Sequence, residues 1–236
     1  WRNNKWRIGW FKSFDHHIIK GNGILADKTF EIPPFNNLIL DEGLIANVRL
    51  KQIASNSSKI QINCDSNITE HIKWSVNNNK LNLFTTERTR LESDHDITIT
   101  ISSPTLNRVE IESIGNVKIP GKVETPYFQV EIDGAGNFEA DSLFCTEFHG
   151  NVEGVGNLKV AGKTTKSNFE LKGAGNINAF DFESDEIHAA LEGIGKISCN
   201  PINSINAKVE GIGKISYKNE PPVKNIRIEG LGSIGK

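Results

Sequence analysis

Carboxylates recur through the second half of this chain at one fixed place. Glu112, Asp133, Glu153, Glu192, Glu210 and Glu229 each stand directly before a small residue, and only Lys172 interrupts the series. Stacked carboxylates are what glycoside cleavage needs as acid and base, or what a cation needs as ligands. Their regularity argues against catalysis. A catalytic group normally breaks a repeat, whereas a polar position facing water recurs in every copy. Asp133, Glu153, Glu192 and Glu210 are therefore candidate binding residues on an outward acidic row. No residue is assigned a catalytic role and no cofactor is expected. The competing reading is a polysaccharide-processing enzyme working on that row.

The other chemistry-bearing residues give weaker patterns. Asp15, His16 and His17 are adjacent on an extended chain, so they point in opposite directions, and no metal site is assigned there or elsewhere. Asp94, His95 and Asp96 read as a solvated loop rather than a cation site. Cys64, Cys145 and Cys199 lack metal-like spacing and sit in or beside β-patterned runs, which favours buried thiols. The glycine-rich copies do not make a phosphate loop, since an apolar strand residue follows them and no helix start does. Calcium-binding nonapeptide repeats have half this period and an Asp where this chain has Asn, Lys or Ser.

The acids belong to a phrase repeated seven times: IESIGNV, IDGAGNF, VEGVGNL, LKGAGNI, LEGIGKI, VEGIGKI and IEGLGSI. Its markers are Gly115, Gly136, Gly156, Gly175, Gly195, Gly213 and Gly232, spaced by subtraction at 21, 20, 19, 20, 18 and 19 residues. Such a period marks a solenoid with one coil per repeat. Upstream of each glycine pair the residues alternate as in a strand, with Phe128, Val130 and Ile132 on one side and Gln129, Glu131 and Asp133 on the other. Ile132, Ala135 and Phe138 are three apart, which reads as a break in alternation at a glycine corner. Coils stacked at about 4.8 Å would align Ile132, Val152, Leu171, Leu191, Val209 and Ile228 as one internal ladder. Phe138, Leu158, Ile177, Ile197, Ile215 and Ile234 would form another. Asn116, Asn137, Asn157 and Asn176 would stack as an amide ladder that ends at Lys196 and Lys214. The fold class is all-β, a parallel β-helix of about seven glycine-marked coils.

A net charge of −2 with no basic stripe excludes a nucleic-acid partner, and no apolar run approaches the roughly 20 residues of a membrane span. No methionine occurs, position 1 included, so the expectation is a fragment or processed form with any leader or anchor upstream. Residues 1–20 form an aromatic and basic arm, with Trp1, Trp6, Trp10, Arg2, Lys5, Arg7, Lys12 and Lys20. That composition suits either proximity to a membrane surface or a cover over an open solenoid end. Residues 21–105 continue the β pattern less regularly, with candidate strands at 37–41, 45–51, 59–64, 70–76, 80–84 and 96–102, and 87–96 as an exposed loop. The repeat section is 106–236. Its last copy runs to the final residue without a polar cap, so either the N-terminal part or a second subunit would cover it, and a homo-oligomer is expected.

The order FNNLIL (35–40), ANVRLKQ (46–52), KIQINCDSNI (59–68), VNNNKLNLFT (76–85) and DITITISSPTLNRVEIESIGNVKI (96–119), followed by the G-x-G-N copies, resembles one known family. It is similar, over roughly residues 21–236, to the putative auto-transporter adhesin, head GIN domain family of bacterial cell-envelope proteins. The resemblance implies a right-handed parallel β-helix exported beyond the inner membrane, often behind a signal peptide or lipid anchor. It brings no catalytic residues. Lys196, Lys214 and Ser233 depart from the Asn of the earlier copies, so no ligand role is carried onto the Asn row. The functional expectation is a non-enzymatic envelope or surface module, periplasmic, outer-membrane-associated or at the cell surface. Its partner would be a glycan, an envelope component or another copy of itself.

Overall fold

The computed structural model describes residues 17–41, 43–86 and 89–236. The first part of the chain forms β1 (His17–Lys20), β2 (Leu25–Ile32), β3 (Asn37–Leu40), β4 (Asn47–Gln52) and β5 (Ser58–Asp65). After a 3-10 turn at Thr69–His71 come β6 (Ile72–Asn77), β7 (Lys80–Thr85), β8 (Thr89–Glu92), β9 (Thr98–Ser103) and β10 (Arg108–Ile111). The repeat section forms β11 (Asn116–Ile132), β12 (Ala135–Val152), β13 (Val155–Leu171), β14 (Ala174–Leu191) and β15 (Ile194–Val209). It ends with β16 (Ile212–Tyr217), β17 (Val223–Ile228) and β18 (Leu231–Gly235). No helix among the described residues is long and apolar enough to cross a membrane.

Each long strand of the repeat section wraps around one coil and pairs in parallel with the next. β11 lies on β12 from Asn116↔Asn137 to Ile132↔Val152, and β13, β14 and β15 continue the stack. Breaks in register, such as that between Ile119 and Lys122, mark where the wrapped strand bends. The result is a β-solenoid of about six turns, one fewer than the glycine count suggests. The first marked copy falls in the gap between β10 and β11, and β18 has β16 alone to pair with. Both aliphatic ladders form up to the last coil: Ile132, Val152, Leu171, Leu191 and Val209 are fully buried, as are Leu158, Ile197 and Ile215, whereas Ile228, expected inside, is exposed because no further coil covers it. Phe128, Phe148, Phe169 and Phe182 fill the space between them.

Alternation is not broken at the corner. Ile132, Gly134, Gly136 and Phe138 share one parity and Asp133, Ala135 and Asn137 the other, and the second set is exposed. Glycine holds the inward positions because consecutive coils nearly touch there. A Cβ on Gly156 would lie 1.9 Å from the carbonyl oxygen of Gly136, and one on Gly175 would lie 1.8 Å from that of Gly156. The glycines therefore permit close stacking of backbones at least as much as they permit bending.

Of the N-terminal strands, β2 to β7, β9 and β10 join the same sheet, while β1 and β8 form a separate two-stranded sheet. β10 pairs with β3 and the start of β11 with β4, both in parallel. Further out, β6 runs antiparallel to β7, β5 to β9, and β2 to β5, so antiparallel strands close this end. The N-terminal part therefore lies at the end opposite β17 and β18, where Val223, Ile226, Ile228 and Leu231 stay exposed. Of the two covers expected for that last coil, the N-terminal part is ruled out for the described residues.

Three local readings change. The loop expected at 87–96 contains β8, which pairs in parallel with β1, because Leu91 packs partly against the core. The strand expected at 70–76 starts later, since Thr69–His71 turns before extending. β2 carried no candidate strand: its exposed Asp27, Lys28 and Glu31 obscure the half-buried Phe30 and buried Ile32. Of the aromatic and basic arm, residues 1–16, with Asp15 and His16, lie outside the described residues. All three cysteines are free, Cys64 and Cys199 buried and Cys145 half-buried, and burial pushes the Cys199 thiol up to about 12.

Candidate binding surface

The glycine corner carries three rows running along the solenoid. In each coil an acid or Lys172 comes first, an apolar residue follows two positions later, and Asn, Lys or Ser two positions after that. The middle row is Ile114, Ala135, Val155, Ala174, Ile194, Ile212 and Leu231, and its large members are exposed by 53 to 77%. Sequence reasoning missed this row by counting its apolar side chains toward the interior. Their shared parity with the acids was the signal that places them outside.

The amide ladder forms as expected and is one rung longer. Asn137 Nδ2 donates to Asn116 Oδ1 at 2.8 Å, Asn157 Nδ2 to Asn137 Oδ1 at 2.9 Å, and Asn176 Nδ2 to Asn157 Oδ1 at 2.9 Å. Asn116 Nδ2 in turn donates to Asn47 Oδ1 at 2.9 Å, a rung hidden in sequence because Asn47 lies 69 residues away. Lys196 and Lys214 continue the row in register, Lys196 reaching over the Phe180 ring at 5.9 Å.

The acidic row is not uniform. Lys172 bridges Glu153 and Glu170 at 3.1 Å each, and Lys208 sits 2.6 Å from Glu210 and 3.8 Å from Glu229. Glu192 has no ion-pair partner among the described residues. Asp133 belongs to a denser group, in which Glu110, Glu131 and Asp133 approach within 4.8 Å of one another. That spacing suits a cation, but Arg108 already donates to Glu110 at 3.1 Å and to Glu131. Burial pushes Asp133 up from the ordinary carboxylate range, with Glu153 adding to it, and burial raises Glu131 despite Arg108. Glu112 is raised first by burial and then by Glu110.

A carboxyl group with a raised folded-state pKa binds its proton more readily in the fold than in the unfolded chain. Its contribution to stability is therefore greatest in acid and is lost as pH rises through the folded-state pKa. Glu112→Gln should raise the urea midpoint at neutral pH and leave it nearly unchanged in acid, where Glu112 is already protonated. A lower midpoint at neutral pH would contradict this account of the acidic group.

Two clefts lie at the N-terminal end, and another of about 380 Å³ lies on the repeat section, lined among others by Lys166, Glu186, His188, Asn206 and Val223. A cleft of about 390 Å³ opens where the rows begin, lined among others by Ile45, Asn47, His95, Asp96, Ile114 and Asn116. Beneath it the buried Asp65 carboxylate accepts from Ser93 Oγ and lies 3.2 Å from His95 Nδ1. The Ser93 hydroxyl foremost holds Asp65 below the usual carboxylate range. A second cleft, about 280 Å³, is lined by Lys28, Phe30, Thr69, Glu70, Ile72, Lys73 and Trp74. Its Phe30 and Trp74 rings pack with centroids 4.4 Å apart. Neither cleft was foreseen, because each joins strands distant in sequence.

The candidate residues Asp133, Glu153, Glu192 and Glu210 thus share one row without converging on one pocket. Comparison with known structures gives the same architecture. A crystal structure described as a putative adhesin from Bacteroides fragilis NCTC 9343 superposes with a TM-score of 0.88 at 30% identity, covering 92% of this chain and 99% of that one. A putative adhesin from Parabacteroides merdae ATCC 43184 shares the fold at TM-score 0.69 and 20% identity, covering 93% and 100%. A protein from Parabacteroides distasonis ATCC 8503 described as a putative lipid binding protein does so at 0.69 and 17%, covering 93% and 100%. No curated protein matches the chain. The family model for the putative auto-transporter adhesin, head GIN domain, matches residues 34–221, and the chain belongs to that family.

Proposed function

We propose that this chain is a non-enzymatic, adhesin-like module of the bacterial envelope or surface that binds a glycan at the N-terminal end of its solenoid. The observation that carries this reading is the Phe30–Trp74 cleft, where an aromatic surface is rimmed by Lys28, Thr69, Glu70 and Lys73. Sugar rings present an apolar C–H face and a hydroxyl edge, and an aromatic face beside charged and hydroxyl groups complements both. The family membership and the Bacteroides fragilis neighbour support an envelope or surface location and an adhesive role.

The enzymatic reading fares worse on geometry. Glu110, Glu131 and Asp133 gather closely, but Arg108 ties two of them down as ion-pair partners. Elsewhere along the row, Glu153 and Glu210 are held by lysines.

A glycan array probed with the wild-type chain, Trp74→Ala and Glu153→Ala/Glu210→Ala tests the proposal. Binding by wild type and the double variant, with loss in Trp74→Ala, is expected. Loss in the double variant alone would move the site to the acidic row. No binding by wild type would overturn the glycan reading.

A further inference from the structure

We propose that the glycine corner is a self-association surface, on which a second copy of this chain packs side by side with its solenoid running in the same direction. The first reason is the middle row. Seven outward positions carry no polar residue, and Ile114, Val155, Ile194, Ile212 and Leu231 each leave more than half of their surface in water. With coils stacked at about 4.8 Å, seven rungs make an apolar ridge roughly 29 Å long. Scattered exposed aliphatics are ordinary; a continuous line of them marks a contact surface.

The second reason is what flanks the ridge, because it selects the partner and its orientation. A two-fold axis parallel to the solenoid axis sets each apolar residue against its own copy. It also sets each first-row residue against the third-row residue of the same rung. Glu192 then meets the partner's Lys196, and Glu210 the partner's Lys214. Asp133 and Glu153 meet amides, whose outer N–H is not used by the ladder. Where the acidic row switches to Lys172, the opposing residue is Asn176, the last amide of the ladder. Its Oδ1 accepts no further amide, because Lys196 follows in register. The opposite orientation would set acid against acid, and an anionic bilayer would meet the same acids. Within one chain Glu192, Lys196 and Lys214 have no ion-pair partner among the described residues, so association would supply one for each.

A strip three side chains wide and about 29 Å long buries on the order of 500 Å² per copy, which places the dimer among weak, reversible interfaces. Parallel packing puts both N-terminal ends on the same side. Two clefts would then face one surface together, and weak sites would gain avidity.

Sedimentation velocity on the full chain over a range of concentrations should show a monomer–dimer equilibrium. Glu192→Lys/Glu210→Lys and Lys196→Glu/Lys214→Glu should each weaken self-association by roughly tenfold or more, since like charges then meet on both sides of the two-fold axis. Mixing the two variants should restore a dimer, because every altered rung is again complementary. Ile194→Asn/Ile212→Asn should abolish association, with circular dichroism and melting unchanged because both positions are exposed. A wild-type chain that stays monomeric at the highest attainable concentration would overturn the proposal. So would a dimer indifferent to the charge swaps, or swap variants that fail to pair with each other.

Discussion

Gly175→Val should not yield a folded solenoid. A Cβ at this position would lie 1.8 Å from the Gly156 carbonyl oxygen and 2.9 Å from its carbonyl carbon, and φ there is +153°. The obstacle is backbone, held by pairing of β13 with β14 from Val155↔Ala174 onward, so a rotamer change in a neighbour gives no relief. Relief requires prising two coils apart at their tightest point. Each coil is stabilised by its neighbours, so the damage spreads along the stack. The expected loss exceeds about 4 kcal/mol, the range reserved for overpacking without escape. Gly121→Val is the control, because nothing lies within 4 Å of a Cβ there. Thermal melts should show the control within a few degrees of wild type and Gly175→Val aggregated or unfolded. Equal melts would mean that the glycine row is not set by coil-to-coil contact.

Phe148→Ala should be the most damaging truncation in the core. Its ring is fully buried and packs against Phe128, Phe169 and Phe182 at centroid distances of 6.4, 5.7 and 5.2 Å. The register brings Gly150 between Val130 and Phe169, and a Cβ there would come within 2.9 Å of the Phe148 ring. The chain thus gives up a side chain at 150 to seat the ring at 148. Removing the ring leaves a cavity across three coils that rigid sheets cannot collapse into, at a cost of about 3–5 kcal/mol. Urea denaturation followed by circular dichroism reads this as a lower midpoint. Phe148→Leu should retain much of the stability, and a smaller loss in the Ala variant than in the Leu variant would contradict the packing described.

The repeat was legible because its cause is local. The ladders through Ile132 and Phe138 and the amide row from Asn116 to Asn176 follow from one period plus the spacing of paired strands. The same period misled at Ala135 and its equivalents. Hydrophobicity alone placed them inside, while the parity of Asp133, Ala135 and Asn137 places them outside. Glycine at 134 and 136 hid this, since an inward position with no side chain gives no hydrophobic signal. The N-terminal end was harder to read for another reason. β2 folds back on β5 and β8 pairs with β1 through contacts between distant segments, and no period announces them. The Phe30–Trp74 cleft arises from the packing of such segments, so its two rings carry no common motif.

On the function proposed above, the chain retains its glycan without transforming it. The most direct test is to incubate the purified chain with whichever glycan it retains on an array, then to measure the mass of the recovered glycan. The prediction is an unchanged mass after prolonged incubation, with retention that depends on Trp74. A hydrolysed or eliminated product from the wild-type chain would contradict it and return the carboxylates of the glycine corner to a catalytic role.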